Sequence, residues 1–194
     1  FVLDPRRVAE PMDGRIVTWM REYACRTGRA LTGSAIIRDD GRYFNRQLFV
    51  RPTGEVTVYD KRHLFSIGGE GGLFTAGTER VVVEYGGLRL LLLVCYDLRF
   101  PVWSRCRNDY DAIVYSASWP ESRREVWRTL LRARAIENEA YVIGVNRVGV
   151  DPSARYTGDS VIVDFMGRTA ADAGDRETVI EATLDREALE RFRT

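Results

Sequence analysis

The spacing of apolar residues predicts one helix and then a run of strands in the first half of the chain. Between Asp13 and Arg26, apolar residues recur every three or four positions, the period of an amphipathic helix, and Gly28 follows as a stop signal. The residues predicted to form its apolar face are Ile16, Trp19, Met20 and Tyr23. Apolar runs bounded by turn residues then predict strands at 30–37, 43–50, 55–61, 80–85 and 88–95, with a tight hairpin at Asp39-Asp40-Gly41.

The second half of the chain alternates strands with helices. Strands are predicted at 111–118 and 141–147 around a helix at 121–139. A closing hairpin is predicted between 159–165 and 177–184, with Met166-Gly167 in the connection, and a last helix begins near Asp185. Since hairpins dominate the first half, we expect an α/β chain with two sheets in a sandwich and helices outside, rather than one doubly wound parallel sheet.

Composition and charge limit the kind of protein this is. The 194 residues fit one domain, with 45% hydrophobic and 29% charged residues. A formal net charge of +1 gives no support for a nucleic acid or an anionic membrane as partner. The longest strongly apolar run, Leu90–Val94, is far shorter than the ~20 residues of a membrane-spanning helix. It is apolar on both faces, which is typical of a strand buried between layers.

The cysteines and the absence of a visible signal peptide bear on location. Cys25, Cys95 and Cys106 are an odd number and have no metal-ligand spacing. No basic segment followed by an apolar stretch opens the sequence. We therefore expect a cytoplasmic protein with reduced thiols and without a metal site.

Lysine occurs once in this arginine-rich chain. Of the 29 basic residues only Lys61 is a lysine, and the other 28 are arginines. GC-rich coding explains the bias without reference to function. A lysine ammonium is compact and adjusts its pKa in a tight site, whereas arginine is a broad, always-charged fork. Lys61 is therefore a candidate for chemistry, with a surface residue left by chance as the alternative.

Cys95 ends the most apolar predicted strand and is followed by Tyr96-Asp97-Leu98-Arg99-Phe100-Pro101, in which charged residues interrupt the apolar sequence. This switch marks the C-terminal end of a strand, where α/β sheets tend to place reactive groups. A thiol there meets backbone N–H groups of the next turn, which suits stabilisation of an oxyanion. A nearby ammonium such as Lys61 would favour the thiolate. The alternative is a small apolar residue that fills space at a strand end.

Two more polar residues follow Lys61. His63, the only histidine, invites a Cys–His pair, but beside Lys61 and Leu64 it also fits a role in shaping the loop, which we favour. Glu70 is flanked by four glycines between Ser66 and Leu73, so the backbone approaches closely and the loop is able to close over a ligand. The alternative for Glu70 is a solvated loop charge.

Several separated motifs, taken in order, resemble the signatures of the nitrilase superfamily. They are Tyr59-Asp-Lys-Arg-His-Leu-Phe65, the Glu70 loop ending in Thr75-Ala-Gly77, Leu93-Val-Cys-Tyr-Asp-Leu-Arg-Phe-Pro101, Arg132-Ala-Arg-Ala-Ile-Glu-Asn138 and Tyr141-Val-Ile-Gly-Val-Asn-Arg-Val-Gly149. Within that superfamily the chain is most similar to the omega-amidase branch of carbon–nitrogen hydrolases. These enzymes hydrolyse the side-chain amide of α-keto analogues of glutamine and asparagine. The likeness extends from about Pro5 to the end of the chain.

The resemblance implies a four-layer α-β-β-α sandwich that forms a single hydrolase domain over residues 1–194, with a glutamate–lysine–cysteine triad and no metal or organic cofactor. Cys95 matches the nucleophile, Lys61 the lysine, and Glu70 a second glutamate that helps to orient the site. The backbone N–H of Tyr96 would join Lys61 in the oxyanion hole, and Trp119 falls where the family lines its acyl pocket. Glu137 is interpreted as structural. Family habit also implies a homodimer or higher homo-oligomer.

The chain departs from the family pattern at two places. The family's general-base glutamate belongs to a segment upstream of Phe1, so we expect the sandwich to be N-terminally incomplete and the domain to be truncated at both ends. Ser118 stands where relatives of this branch often carry asparagine.

The expected activity is hydrolysis of an ω-amide of an α-keto acid to the acid plus ammonia, through a cysteine thioester. The first alternative is another amidase specificity, such as hydrolysis of N-carbamoyl amines. The second is an inactive binding or assembly homologue that has lost its base.

Overall fold

The computed structural model describes residues 4–194 and is a mixed α/β fold, as predicted. Contacts along the chain divide it into two compact units, one that ends at Val81 and one that begins at Val82. The two units are described separately.

The first unit is one helix with a three-stranded antiparallel sheet in the order β1-β2-β3. Its elements are α1 (Arg15–Thr27), β1 (Leu31–Asp39), β2 (Arg42–Val50) and β3 (Val56–Asp60), with short 3-10 turns at Pro5–Arg7, Ser66–Gly68 and Glu70–Gly72. Asp40 and Gly41 both have positive φ, 47° and 71°, as the two central residues of a tight hairpin turn require. The predicted hairpin and all three strands are confirmed to within a few residues.

The predicted helix in this unit is confirmed, but its predicted apolar face is partly wrong. Val17, Met20 and Ala24 are the buried residues of α1, and they pack in a core with sheet residues that include Ile37 and Leu48. Ile16 and Trp19 are 39% and 56% exposed instead. The prediction favoured large side chains, whereas the stripe one position further along includes a small alanine that allows close packing on the sheet.

The second unit is built on a six-stranded sheet in the order β11-β10-β7-β6-β5-β4, in which β5, β6 and β7 run parallel. Its strands are β4 (Val82–Tyr85), β5 (Leu88–Val94), β6 (Ala112–Ala117), β7 (Tyr141–Asn146), β10 (Val161–Val163) and β11 (Thr169–Asp172), and β8 (Val148–Asp151) pairs separately with β9 (Ala154–Thr157). Its helices are α2 (Pro101–Ser104), α3 (Arg124–Asn138) and α4 (Arg186–Arg193), with 3-10 turns at Cys95–Arg99 and Glu121–Arg123. In β5, Leu91–Leu93 are fully buried, as the continuous apolar run predicts.

The predicted closing hairpin is wrong in its second strand. β10 pairs with β11 at 169–172, and no strand forms at 177–184. The reason is a tight turn: Asp164 accepts hydrogen bonds from the N–H groups of Met166 and Arg168, and Gly167 has φ of 79°. The chain therefore reverses direction directly after β10, and residues 169–172 rather than 177–184 pair with that strand.

The β8–β9 hairpin is an addition that the sequence patterns did not predict. Its turn is formed by Asp151, whose side chain accepts hydrogen bonds from the backbone of Ser153 and Ala154. Such Asx turns need one well-placed carboxylate rather than an Asn-Gly pair, so the signal in the sequence is weak.

A buried carboxylate at the start of β6 gives a testable pH dependence of stability. Asp111 accepts hydrogen bonds from the backbone N–H, Nε and Nη2 of Arg89 at 2.7–3.1 Å, and Arg193 Nη1 lies 3.2 Å away. Burial alone would raise the pKa of Asp111, but the hydrogen bonds from Arg89 and the charges of both arginines outweigh it and hold that pKa below its ordinary 3.8. A lowered pKa in the folded state means that Asp111 stabilises the fold above the pKa of the unfolded chain and loses that effect as the pH falls through the folded value.

We expect Asp111→Asn to lower the free energy of unfolding at pH 7 by about 3 kcal/mol, because Arg89 is left without its carboxylate. Urea unfolding at pH 7, 5 and 3.5 measures this. The difference between the two proteins should shrink below about pH 4. A difference that stays constant over that range would contradict the assignment.

Candidate active site

Cys95 lies immediately after the buried strand β5, in a backbone conformation that favours glycine. Its φ is 47°, and non-glycine residues held there carry strain that the surrounding structure must support. Part of that support is Asp97, which is fully buried and accepts a hydrogen bond from the N–H of Val94 at 3.1 Å. The end of β5 is thereby closed by a side chain two residues beyond the cysteine, and the sulfur is carried on a defined turn.

The same turn is held from helix α3 by Arg134. Its Nε and Nη2 donate to the carbonyl oxygen of Leu98 at 3.1 and 2.7 Å, and the guanidinium is buried. Glu137 accepts from Arg134 Nη1 at 2.8 Å and balances its charge. Glu137 therefore contacts the turn that carries Cys95 through Arg134, which agrees with its structural interpretation.

Lys61 is buried in the first unit and paired with Glu70. Its side chain is 1% exposed, and Nζ lies 2.6 Å from Glu70 Oε2. A buried ammonium needs such a partner because an unpaired charge in the protein interior costs several kcal/mol. Chance retention of Lys61 at the surface is excluded by its burial.

Glu70 is fixed by two further hydrogen bonds. Its Oε2 also accepts from the N–H of Phe65 at 2.7 Å, and its Oε1 accepts from Asn45 Nδ2 at 3.3 Å. The side chain is only 12% exposed, so the alternative of a solvated loop charge is wrong. Asn45 also accepts from the N–H of Lys61 through its carbonyl oxygen, at 2.9 Å, and so contacts both members of the pair.

Gly77 sets the position of Lys61 from the other side. Its N–H donates to the carbonyl oxygen of Lys61 at 3.0 Å, and a Cβ at position 77 would overlap the carbonyl oxygen of Asp60. We expect Gly77→Ala to displace the Asp60–Lys61 backbone and to lower kcat/KM on the order of 10²-fold, as misplacement of a reacting group by about 1 Å does.

The control for that variant is Gly33→Ala, because a Cβ at Gly33 meets nothing within 4 Å. Steady-state ammonia release by the two variants provides the comparison. Equal activity of both would show that the close approach at Gly77 does not position Lys61.

Trp119 lies in the second unit, in the loop after β6, and is 4% exposed. Its indole Nε1 donates to the carbonyl oxygen of Arg123 at 2.8 Å, and its ring packs 5.5 Å from that of Trp127. The guanidinium of Arg99, an exposed residue at the end of the 3-10 turn Cys95–Arg99, lies 5.4 Å from the centre of the Trp119 ring and 6.0 Å from that of Tyr96. Tyr96, Arg99 and Trp119 are thus brought together near the turn that carries Cys95.

The predicted site residues fall into two groups. Lys61 and Glu70 belong to the first unit, and Cys95, Tyr96 and Trp119 belong to the second. It stays a prediction that the two groups share one cavity. It also stays a prediction that His63 shapes the loop and takes no part in catalysis.

Within residues 4–194, no group of three or more His, Cys, Asp or Glu side chains is arranged to hold a metal ion. Over the same residues, no helix has the length and apolar character to cross a membrane.

Comparison with known families matches this chain, over residues 1–194, to the carbon–nitrogen hydrolase family. The chain belongs to that family. It is 47% identical over 195 residues to the omega-amidase YafV of Yersinia enterocolitica, a match that covers 100% of this chain and 76% of that relative. It is also 35% identical over 178 residues to the 2-oxoglutaramate amidase of Bacillus subtilis, covering 89% of this chain and 69% of the relative.

The nitrilase-type α/β fold of this carbon–nitrogen hydrolase is confirmed by a solved structure. XC1258 from Xanthomonas campestris, a CN-hydrolase superfamily protein with an arsenic adduct in its active site, is similar with a TM-score of 0.93 and 45% identity. The match covers 95% of this chain and 73% of that one. The recognition of the family from separated motifs is therefore confirmed, while N-terminal incompleteness stays a prediction.

Sequence reasoning did not single out three residues that support the candidate site residues within their own units. Asn45 holds the Lys61–Glu70 pair, Arg134 holds the turn that carries Cys95, and Asn146 holds Trp119 through its side-chain amide. Both asparagines are polar residues within or at the end of strands, and Arg134 lies on the buried side of a helix. A polar residue at such a position is a signal that could have found all three, because buried polar groups need partners.

Proposed function

We propose that this carbon–nitrogen hydrolase cleaves the ω-amide of an α-keto dicarboxylic acid to the free acid and ammonia, through a thioester on Cys95. The observation that carries the proposal is the placement of Cys95. It sits in a strained conformation at the buried end of β5, in a chain whose relatives are an omega-amidase and a 2-oxoglutaramate amidase. Strain of this kind is typical of functional positions, where the structure over-determines a costly backbone geometry.

In the proposed mechanism the sulfur of Cys95 attacks the amide carbon and forms a tetrahedral intermediate. The Lys61 ammonium and the N–H of Tyr96 stabilise the oxyanion, and Glu70 orients Lys61 through their ion pair. The thiol proton passes to a general base and from there to the leaving nitrogen, so that ammonia departs and a thioester remains. Water then attacks the thioester and restores the thiol. The resemblance assigns the base to a glutamate in a segment ahead of Phe1.

The acyl part of the proposed substrate carries a carboxylate, and we assign its binding to Arg99. Arg99 lies four residues after Cys95 on the same 3-10 turn, is exposed, and rests over the ring of Trp119. A planar guanidinium supported by an aromatic face is suited to bind a carboxylate in a bidentate manner.

We expect Arg99→Met to raise KM for 2-oxoglutaramate by about tenfold or more, since a charge-assisted hydrogen bond contributes roughly 1.5–3 kcal/mol. The KM for a neutral amide such as butyramide should stay within about twofold. Initial rates of ammonia release with both substrates provide the measurement, and an equal rise in both KM values would refute the role of Arg99.

The test of the function is a direct comparison of substrates, using the protein as its gene encodes it. We expect kcat/KM for 2-oxoglutaramate to exceed that for N-carbamoyl amino acids and for butyramide. A preference for an N-carbamoyl amino acid would establish the rival amidase specificity. Absence of turnover on all of them, with Cys95 no more reactive towards iodoacetamide than Cys25 and Cys106, would establish an inactive homologue.

We further propose that residues 1–194 act as one hydrolase domain in a cytoplasmic homodimer. The family match over both units supports the single domain, and family habit supports the dimer. A thiol nucleophile fits a reducing compartment. Light scattering of the purified protein tests the dimer, and a monomer at micromolar concentration would contradict it.

A further inference from the structure

We propose that Asn146 is a positioning residue that fixes Trp119 and thereby sets which acyl group the enzyme accepts. The inference rests on the proposed function in one respect, since it takes Trp119 as a wall of the acyl pocket. It goes beyond that function because it assigns a role to a residue that does not itself reach the reacting atoms.

The amide of Asn146 acts as an extra peptide group at the end of a parallel strand pair. The β6–β7 register ends with Ala117 opposite Asn146. Beyond that point the side chain of Asn146 replaces the backbone as hydrogen-bonding partner. Its Oδ1 accepts from the N–H of Trp119 at 2.7 Å, and its Nδ2 donates to the carbonyl oxygen of Trp119 at 3.1 Å. Both backbone polar groups of Trp119 are therefore held by one side chain.

The same Nδ2 also donates to the carbonyl oxygen of Gly158 at 2.6 Å. Next to it, the carbonyl oxygen of Asp159 accepts from the indole nitrogen of Trp127 at 2.9 Å. Since Trp127 packs against Trp119, Asn146 holds the Trp119 backbone directly and supports the Trp119 ring through this second indole.

Asn146 is itself rigid. It is 8% exposed, its N–H donates to Ser160 Oγ at 2.9 Å, and the same hydroxyl lies 3.2 Å from its carbonyl oxygen, to which it donates. Because both the backbone and the amide of Asn146 are hydrogen-bonded, the side chain has little freedom to move and holds Trp119 in one position. Only an amide supplies one acceptor and two donors in this plane, because a carboxylate has no N–H and an aliphatic side chain has neither.

The nucleophile turn has separate supports. Asp97 holds the segment Cys95–Arg99 through the N–H of Val94, and Arg134 holds it through the carbonyl oxygen of Leu98. Loss of the Asn146 amide should therefore disturb recognition of the acyl group while leaving the reactivity of Cys95 unchanged.

The test compares Asn146→Ala and the isosteric Asn146→Asp with the native protein. We expect KM for 2-oxoglutaramate to rise about tenfold, with kcat lowered less than threefold and the rate of Cys95 alkylation by iodoacetamide unchanged. Asn146→Asp should be at least as impaired as Asn146→Ala, because its carboxylate would face two carbonyl oxygens. If the alanine variant does not fold, the KM, the kcat and the Cys95 alkylation rate of the aspartate variant test the proposal.

The matched control is Asn138→Ala. Asn138 is 4% exposed and also bonds backbone groups through its amide, namely the N–H of Cys106 and the carbonyl oxygen of Arg134. It should lose comparable thermal stability with no rise in KM. An equal rise in both variants would reduce Asn146 to a general structural role and overturn the proposal.

Hydrogen exchange provides a readout that does not depend on activity. The N–H of Trp119 is bonded to Asn146, so amide exchange in the segment 118–123 should speed up at least tenfold in Asn146→Ala and stay native in Asn138→Ala. Unchanged protection at Trp119 would overturn the positioning role. If the native protein failed to hydrolyse 2-oxoglutaramate, the proposed function would fall, while exchange would still decide whether Asn146 holds Trp119.

Discussion

Replacing Cys95 with alanine is expected to abolish ammonia release from 2-oxoglutaramate, with a fall in kcat of at least about 10⁴-fold, as removal of a nucleophile does in hydrolases of this type. The fold should persist, since Cys95 ends a strand whose core is formed by Leu91–Leu93 and its turn is held by Asp97 and Arg134. Mass spectrometry of the native protein quenched during turnover should show the acyl group on Cys95.

The control for this variant is Cys25→Ala. Cys25 is exposed in the first unit, and its removal should leave turnover within about twofold of the native value. Retained ammonia release by Cys95→Ala would refute the nucleophile assignment, and so would an acyl group found on either of the other two cysteines.

Replacing Lys61 with methionine is expected to lower kcat by about 10²–10³-fold, because one donor to the oxyanion is lost. It should also lower the free energy of unfolding by roughly 3–5 kcal/mol, since Glu70 is left as a buried carboxylate without its cation. Steady-state kinetics and urea unfolding measure the two effects.

The double variant Lys61→Met/Glu70→Gln separates catalysis from folding. It removes both charges together, so it should recover much of the lost stability but none of the lost activity. Activity that returned together with stability would mean that Lys61 serves the fold and not the reaction.

The sequence pointed to Lys61 and Glu70 more clearly than to the residues that support the candidate site residues. Lys61 stood out because it is the one lysine among 29 basic residues, and the glycine-rich loop pointed to Glu70. The structure joins these two at 2.6 Å. Arg134 is one of 28 arginines, so its residue type gave no signal, and only its position on the buried side of a helix distinguishes it.

Elements of the fold were predictable where a local sequence pattern determines the structure. They were less predictable where contacts between elements determine which face is buried or which strands pair. The Asp40-Gly41 turn fixes its hairpin by backbone preference alone, and the continuous apolar run fixes β5 as a buried strand. The buried face of α1 depended on the close approach of Ala24 to the sheet, and the partner of β10 depended on the turn closed by Asp164. Neither is encoded in the period of the apolar residues.

The central proposal, that Cys95 and Lys61 act on one amide group, is tested most directly by a crystal structure of Cys95→Ala with 2-oxoglutaramate bound. We expect the amide carbonyl oxygen to lie about 2.7–3.1 Å from both Lys61 Nζ and the N–H nitrogen of Tyr96, with the amide carbon facing the β-carbon of position 95. A bound substrate whose carbonyl oxygen is held by other groups, with the Lys61 ammonium out of hydrogen-bond reach, would contradict the account.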